Sequence, residues 1–150
     1  MNIKLDGITY QFDSTSGYLK QVITQKSSIS LSEGPVLADV KQNKKNFKSW
    51  QEGEKTMVET NYDGNGSYFK AKWIFESNQL PKLEYQYSQR GESDFMGISF
   101  NYPEEKITGM KWLGRGPYRV WKNRLKGQQF GVFHKDYNDA ITGETWIYPE

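Results

Sequence analysis

The 150-residue sequence contains no cysteine and a single histidine, His134. The absence of cysteine excludes a thiolate zinc site, an iron–sulfur cluster, a cysteine nucleophile and a disulfide scaffold. A single histidine excludes metal sites that need two imidazole ligands. We expect His134 to have a hydrogen-bonded structural role at the exit of a strand, with a role facing a sugar or a carbonyl group as the alternative. The sequence therefore predicts no metal and no cofactor.

The chain also lacks a long apolar run and a strong net charge. We expect no membrane-spanning segment and no signal peptide, because no apolar stretch is long enough for either. The formal net charge is +2, which by itself does not indicate nucleic acid. Residues 110–135 are rich in basic and aromatic side chains, but their glycines and proline and the acidic residues that follow argue against a continuous phosphate groove. The sequence predicts neither a membrane nor a nucleic-acid partner, and it leaves the compartment open.

Aromatic residues, in contrast, are abundant. The chain has 10 Tyr, 8 Phe and 5 Trp, and such a composition favours strands over helices. Alternating apolar and polar residues flank Asp6-Gly7 and Asp63-Gly64-Asn65-Gly66, which are strong hairpin signals. No window shows a convincing helical period. The predicted fold is an all-β antiparallel β-sandwich of roughly ten strands.

Three segments do not follow this alternation clearly. Residues 41–49 are rich in Lys and Asn and are predicted to form an exposed connection. Residues 36–40 are short enough for either an edge strand or a crossing loop. Residues 114–117, Gly-Arg-Gly-Pro, are interpreted as a rigid strand-to-turn corner. Because no linker of domain length occurs, residues 1–150 are predicted to be one domain.

Pairs of carboxylates occur only as near neighbours in the sequence. Hydrolysis of a glycosidic bond needs two carboxyl groups about 5–10 Å apart across the substrate. The available pairs are interpreted as solvated turn charges, and no catalytic residue is assigned among them: Glu104 with Glu105, Glu52 with Glu54, and Asp136 with Asp139. Residues 136–139 also lack the glycine and the distal glutamate of a calcium-binding EF-hand loop.

The segment Trp112-Leu113-Gly114-Arg115-Gly116-Pro117-Tyr118, followed by Arg124, resembles the C-terminal domain of the β-galactosidases of glycoside hydrolase family 2. Residues 5–13, 17–19, 33–37 and 146–150 also resemble parts of that domain, so the resemblance covers nearly the whole chain. It implies a β-sandwich of the galactose-mutarotase-like kind, a supersandwich that is incomplete at its C-terminal end. Arg119, Val120 and Trp121 stand where the family has Glu-Asn-Tyr, so a different sugar preference is expected.

The resemblance also implies a place within a longer multidomain glycosidase. In that parent enzyme, two glutamates of a separate barrel would perform retaining hydrolysis of a β-glycoside, so no catalytic residue passes to this chain. The implied partners are the catalytic barrel and the other domains of the parent glycosidase. An oligosaccharide and a second copy of the chain, as a homo-oligomer, are further candidates. The expected role is a non-catalytic domain that shapes the active-site rim or the contacts between domains or subunits and binds carbohydrate.

Six residues are predicted to face carbohydrate or to form the rim, because aromatic faces and Arg forks suit sugar rings and hydroxyls. They are Arg115, Tyr118, Trp121, Arg124, Tyr137 and Trp146. In the structural alternative the same residues hold the sandwich together, and the arginines of this stretch pair across adjacent strands with Asp136, Asp139 or Glu144. Two rival functions stay open. A free-standing carbohydrate-binding module would depend on Trp121 for affinity, and a purely structural or interaction domain would expose an apolar patch.

Overall fold

The computed structural model describes residues 1–116 and 128–137. Contacts divide the chain into two compact units, Met1–Pro103 and Glu104–Glu150. Antiparallel strands make up most of the described residues, together with a short 3-10 turn at Glu104–Lys106. The predicted all-β antiparallel, sandwich-like fold is confirmed, and the assignment of residues 1–150 to one domain stays a prediction. None of the described residues belongs to a helix long and apolar enough to cross a membrane.

The described residues form twelve strands, somewhat more than the roughly ten predicted. One four-stranded sheet of the first unit contains, in spatial order, β1 (Asn2–Leu5), β2 (Ile8–Phe12), β3 (Leu19–Ile23) and β4 (Ser28–Ser30). A second contains β6 (Asn43–Glu52), β7 (Lys55–Gly64), β8 (Ser67–Phe75) and β9 (Lys82–Ser88). A small sheet pairs β5 (Glu33–Leu37) with β10 (Ile98–Asn101). In the second unit, β11 (Gly109–Gly116) pairs with β12 (Gln129–Asp136).

Both predicted hairpins are confirmed. Asp6-Gly7 joins β1 to β2, and Asn65-Gly66 joins β7 to β8. All four of these residues have positive φ, between 50° and 77°. Asn, Asp and Gly tolerate this left-handed conformation, and a two-residue turn built from it matches the twist of the flanking strands. The turn chemistry therefore sets the register of both hairpins.

Aromatic side chains join the two four-stranded sheets. Tyr10 and Phe12 of β2 pack against Phe75 of β8, with ring centroids 4.9 and 6.1 Å apart. The Phe12 and Phe75 rings are perpendicular, an arrangement that aromatic pairs favour. Val58 of β7 and Leu19 of β3 complete this buried cluster. Burying each such side chain stabilises the fold by about 2 kcal/mol, so this inter-sheet contact is the centre of the sandwich.

The prediction of an exposed connection at residues 41–49 is wrong. Most of this segment belongs to β6, which pairs antiparallel with β7 from Asn43 to Glu52. Its lysines lie beside carboxylates of β7: Lys45 Nζ is 3.0 Å from Asp63, and Lys48 Nζ is 3.1 Å from Glu59. Pairing with a neighbouring strand therefore outweighs the low strand propensity of Lys and Asn. Residues 36 and 37, which were predicted as either strand or loop, belong to β5.

Gly17, in the turn between β2 and β3, lies against the inner face of β7. Thr60 Oγ1 donates a hydrogen bond of 3.0 Å to the Gly17 carbonyl oxygen. A Cβ atom at position 17 would collide with the Thr60 methyl group, and Gly17 also has a positive φ of 79°. Glycine is required here for two reasons, the close approach and the left-handed backbone.

We expect Gly17→Ala to lower the free energy of unfolding by about 3 kcal/mol, because it adds a steric clash to the cost of the left-handed conformation. Gly53→Ala is the matched control, since Gly53 has a φ of 62° and no atom within 4 Å of its added Cβ. Gly53→Ala should lower the free energy of unfolding only by the cost of the left-handed backbone, about 1 kcal/mol. Urea unfolding of both variants measures the difference. Equal losses would mean that the Gly17–Thr60 approach does not limit stability.

Glu59 is a buried carboxylate on the outer face of β7, with 5% of its surface exposed. Its two oxygens lie 3.1 Å from Lys48 Nζ and 2.8 Å from Lys70 Nζ, and Asn61 donates a hydrogen bond of 3.4 Å. Burial alone raises the pKa of Glu59, but the hydrogen bonds from Lys70, Lys48 and Asn61 outweigh it, so the pKa is lowered from its ordinary value of 4.5. The carboxylate thus links three neighbouring strands of the sheet.

We expect Glu59→Gln to lower the free energy of unfolding at neutral pH by about 2 kcal/mol, the size of a hydrogen bond to a charged group. Because the pKa is lowered in the folded state, this stabilisation is full above pH 4.5 and disappears as the pH falls through the folded-state pKa. Unfolding curves of both proteins from neutral pH to acid should therefore converge. Glu84→Gln is the control and should lose much less, since Glu84 also contacts two lysines but its side chain is 43% exposed, against 7% for Glu59.

Candidate functional site

The segment that resembles the glycosidase domain lies on the β11–β12 hairpin. Alternation along the strands gives this hairpin two different faces. On one face Trp112 packs against Phe133, with ring centroids 5.5 Å apart. On the other face Leu113 lies opposite Val132, and Phe130 is the next residue of β12 on that face. Leu113, Val132 and Phe130 are 69%, 60% and 75% exposed, and we call these three side chains the apolar band.

Arg115, one of the six predicted site residues, is exposed on the same face as the apolar band. Its strand partner is Phe130, whereas Asp136 lies opposite Gly109 at the other end of the hairpin. The two charged residues are therefore six residues apart along the ladder, or about 20 Å. Of the ion pairs considered in the structural alternative, one between Arg115 and Asp136 does not form, because the register separates the two residues. Arg115 remains available to a ligand or a partner.

Tyr137, the second predicted site residue that is described, directly follows β12. Its backbone N–H donates to the Thr108 carbonyl at 2.9 Å, and its hydroxyl donates to the Glu104 carboxylate. Both contacts tie the end of the hairpin to the 3-10 turn. The other four predicted residues, Tyr118, Trp121, Arg124 and Trp146, lie outside the described residues, as do Asp139 and Glu144.

His134 lies on β12 opposite Lys111, on the face that carries the apolar band. Its Nε2 atom is 3.7 Å from an oxygen of Asp136, and both side chains are mostly exposed. The two are neighbours on one face because they are two residues apart on a strand. At this distance and exposure the contact is a weak one.

The described carboxylates do not form a metal-binding cluster. Glu104 and Glu105 lie on the exposed 3-10 turn, and Glu52 and Glu54 lie at the exposed turn between β6 and β7. Within residues 1–116 and 128–137, no group of three or more His, Asp or Glu side chains could hold a metal ion. The interpretation of these pairs as turn charges agrees with their positions.

Sequence reasoning missed a polar groove in the first unit. The groove has a volume of about 490 Å³ and is bordered by the start of β3, by β5 with the loop that follows it, and by β10. Its polar and aromatic side chains include Tyr18, Glu33, Gln42, Ser99 and Asn101. These residues are far apart in the sequence and share no spacing motif. Only the pairing of β5 with β10 brings Glu33 and Asn101 together.

A scan of the chain against protein-family models finds no match, and a search of curated proteins finds no similar sequence. The resemblance to the family 2 β-galactosidases therefore rests on the residues quoted above.

Gly114 and Gly116, on either side of Arg115, both belong to β11. The strand-to-turn corner predicted for residues 114–117 therefore begins no earlier than the end of this strand. The environments of the two glycines differ. A Cβ atom on Gly116 would lie 2.8 Å from the ring of Phe133, whereas one on Gly114 would lie 3.6 Å from Trp112, an ordinary contact. Gly116 therefore lets the Phe133 ring lie flat against the strand.

We expect Gly116→Ala to disturb the Trp112–Phe133 contact and to destabilise the hairpin by about 1–2 kcal/mol through overpacking. Gly114→Ala, two residues away in the same strand, should leave stability within about 0.5 kcal/mol of the wild type. Near-ultraviolet circular dichroism, which reports Trp packing, and thermal unfolding measure both effects. A larger loss for Gly114→Ala would contradict the assigned role of the two glycines.

Proposed function

We propose that the chain is a non-catalytic β-sandwich domain of a β-galactosidase-like glycoside hydrolase. In this role it contacts the catalytic barrel or another domain of the same enzyme through the β11–β12 hairpin, and it contributes Arg115 to a rim that faces carbohydrate. The proposal joins the resemblance of residues 112–118 to the all-β antiparallel fold in which those residues lie.

The apolar band is the observation that most supports this proposal. Leu113, Val132 and Phe130 expose most of their surface to water on one face of a two-stranded sheet. A hairpin of two strands is at best marginally stable in water unless its faces are packed. Exposed apolar side chains that cluster in this way mark interaction surfaces. A neighbouring domain of the parent enzyme is the occupant that the surrounding Trp-Leu-Gly-Arg-Gly motif favours.

Basic side chains lie beside the apolar band, which favours an interface that has polar as well as apolar contacts. Lys111, Arg115 and His134 lie on the same face as Leu113 and Val132. Interfaces commonly combine an apolar centre with a polar rim, and arginine is enriched in them. An arginine fork can also bind a carboxylate of a partner domain or the hydroxyls of a sugar at the rim.

The proposal predicts that the chain occurs together with a glycosidase activity. An antibody raised against the purified chain, applied to an extract of cells that produce it, should precipitate an activity that hydrolyses aryl β-glycosides. The purified 150-residue chain should show no such activity, because the proposed catalytic glutamates belong to the barrel. Chromogenic aryl β-glycosides of several sugars measure the activity in the precipitate.

Excess purified chain, added before the antibody, is the control and should prevent recovery of the activity. Complete capture of the chain without activity on any of the glycosides would overturn the proposal. Hydrolysis by the purified chain alone would overturn its non-catalytic part.

A further inference from the structure

The groove of the first unit contains a polar pair that strand pairing holds in place. Glu33 of β5 and Asn101 of β10 are partners in the ladder, and Asn101 Nδ2 donates a hydrogen bond of 3.1 Å to Glu33 Oε2. This bond uses one oxygen of the carboxylate and one N–H of the amide. The second carboxylate oxygen, the amide oxygen and the second amide hydrogen remain for a ligand. Within residues 1–116 and 128–137, no Lys or Arg lies within ion-pair distance of Glu33, although Lys41 also lines the groove.

Tyr18 provides an aromatic wall whose position is fixed by stacking. Its ring lies on that of Tyr62 with centroids 5.2 Å apart and planes at 19°, and Tyr62 stacks in turn on Phe69 at 5.6 Å. Tyr62 and Phe69 are fully buried, so the stack is anchored in the core. Burial, together with the nearby charge of Glu33, raises the pKa of Tyr18, so its hydroxyl stays protonated. Tyr18 is partly exposed and lines the groove.

Gln42 adds a donor at the base of the loop that follows β5. Its Oε1 atom accepts a hydrogen bond of 3.2 Å from the Leu37 N–H, so the Nε2 atom of the same amide points away from that N–H. Nε2 is buried and has no hydrogen-bond partner among the described residues. A buried donor without an acceptor costs free energy, and a ligand oxygen that reaches it through a small side-chain movement would remove that cost.

A second groove of about 510 Å³ in the first unit has different chemistry and serves as a comparison. Four of its charged residues form pairs, with Lys55 and Glu76 3.0 Å apart and Lys82 and Glu84 2.7 Å apart, whereas no ion pair with a described residue includes the fifth, Glu52. None of its lining residues is aromatic. The first groove differs in combining a carboxylate hydrogen-bonded to an amide across a strand pair with a stacked aromatic ring.

We propose that the Tyr18–Glu33–Asn101 groove binds one neutral sugar ring. The apolar face of the ring would lie on Tyr18, and two neighbouring hydroxyls would donate to Glu33 and exchange hydrogen bonds with the Asn101 amide. The volume of about 490 Å³ is in the range of small-molecule sites. The choice of a sugar as the ligand rests on the proposed function, whereas the site itself rests on the geometry of the groove.

Titration of the full chain with neutral monosaccharides, followed by amide NMR shifts, tests this inference. Millimolar galactose, glucose, arabinose or rhamnose should cause saturable shifts at Tyr18, at residues 33–42 and at residues 98–101. Glu33→Gln and Asn101→Ala should each weaken binding at least about tenfold, the effect of losing one hydrogen bond to a charged or polar partner. Glu76→Gln, at a partly exposed glutamate of the second groove, is the matched control and should bind like the wild type.

Several outcomes of the titration would overturn the inference. It fails if a folded sample shows no shifts with any sugar, if the shifts lie elsewhere, or if Glu33→Gln and Asn101→Ala bind as the wild type does. Binding of an amine or a divalent cation in place of sugar, lost in Glu33→Gln, would identify a cation site instead. Sugar binding without glycosidase activity in the antibody precipitate would overturn the proposed function alone and indicate a free-standing binding module. Activity without sugar binding would overturn the groove site alone.

Discussion

The close approach of Gly17 to Thr60 is the contact on which the arrangement of the first unit depends. The turn after β2 can lie against the inner face of β7 only because residue 17 has no side chain, and the Thr60 hydroxyl fixes it there. The next residue, Tyr18, is thereby placed over Tyr62, and Leu19 enters the buried cluster between the sheets. One small residue therefore determines how the sheets meet and where the wall of the polar groove lies.

Local chemistry in the sequence was sufficient to predict part of this fold. The Asp6-Gly7 and Asn65-Gly66 hairpins follow from residues that accept positive φ, which is a property of the turn itself. β6 was misassigned, because its Lys and Asn residues are typical of a loop when they are considered alone. Its strand conformation follows from its pairing with β7, which also places Lys48 beside Glu59 and which sequence periodicity does not reveal.

The candidate sites were less predictable for a related reason. Arg115 was found from its motif and lies on an exposed face, whereas its distance from Asp136 follows only from the register of the hairpin, which the sequence does not show. The groove was missed entirely. Glu33 and Asn101 are separated by most of the first unit in sequence, and each is an unremarkable polar residue until β5 pairs with β10. Sites built from distant strands carry no spacing signal.

The lysines of β6 have a consequence for the behaviour of the protein in solution. β6 pairs only with β7 among the described strands, so its other side presents backbone N–H and C=O groups that a strand of another molecule could join. Lys44, Lys45 and Lys48 lie on this strand, and its register shifts between Lys44 and Asn46, so long polar side chains and a bulge both hinder the pairing of another chain. The residues that make β6 resemble a loop therefore protect an open sheet edge against aggregation.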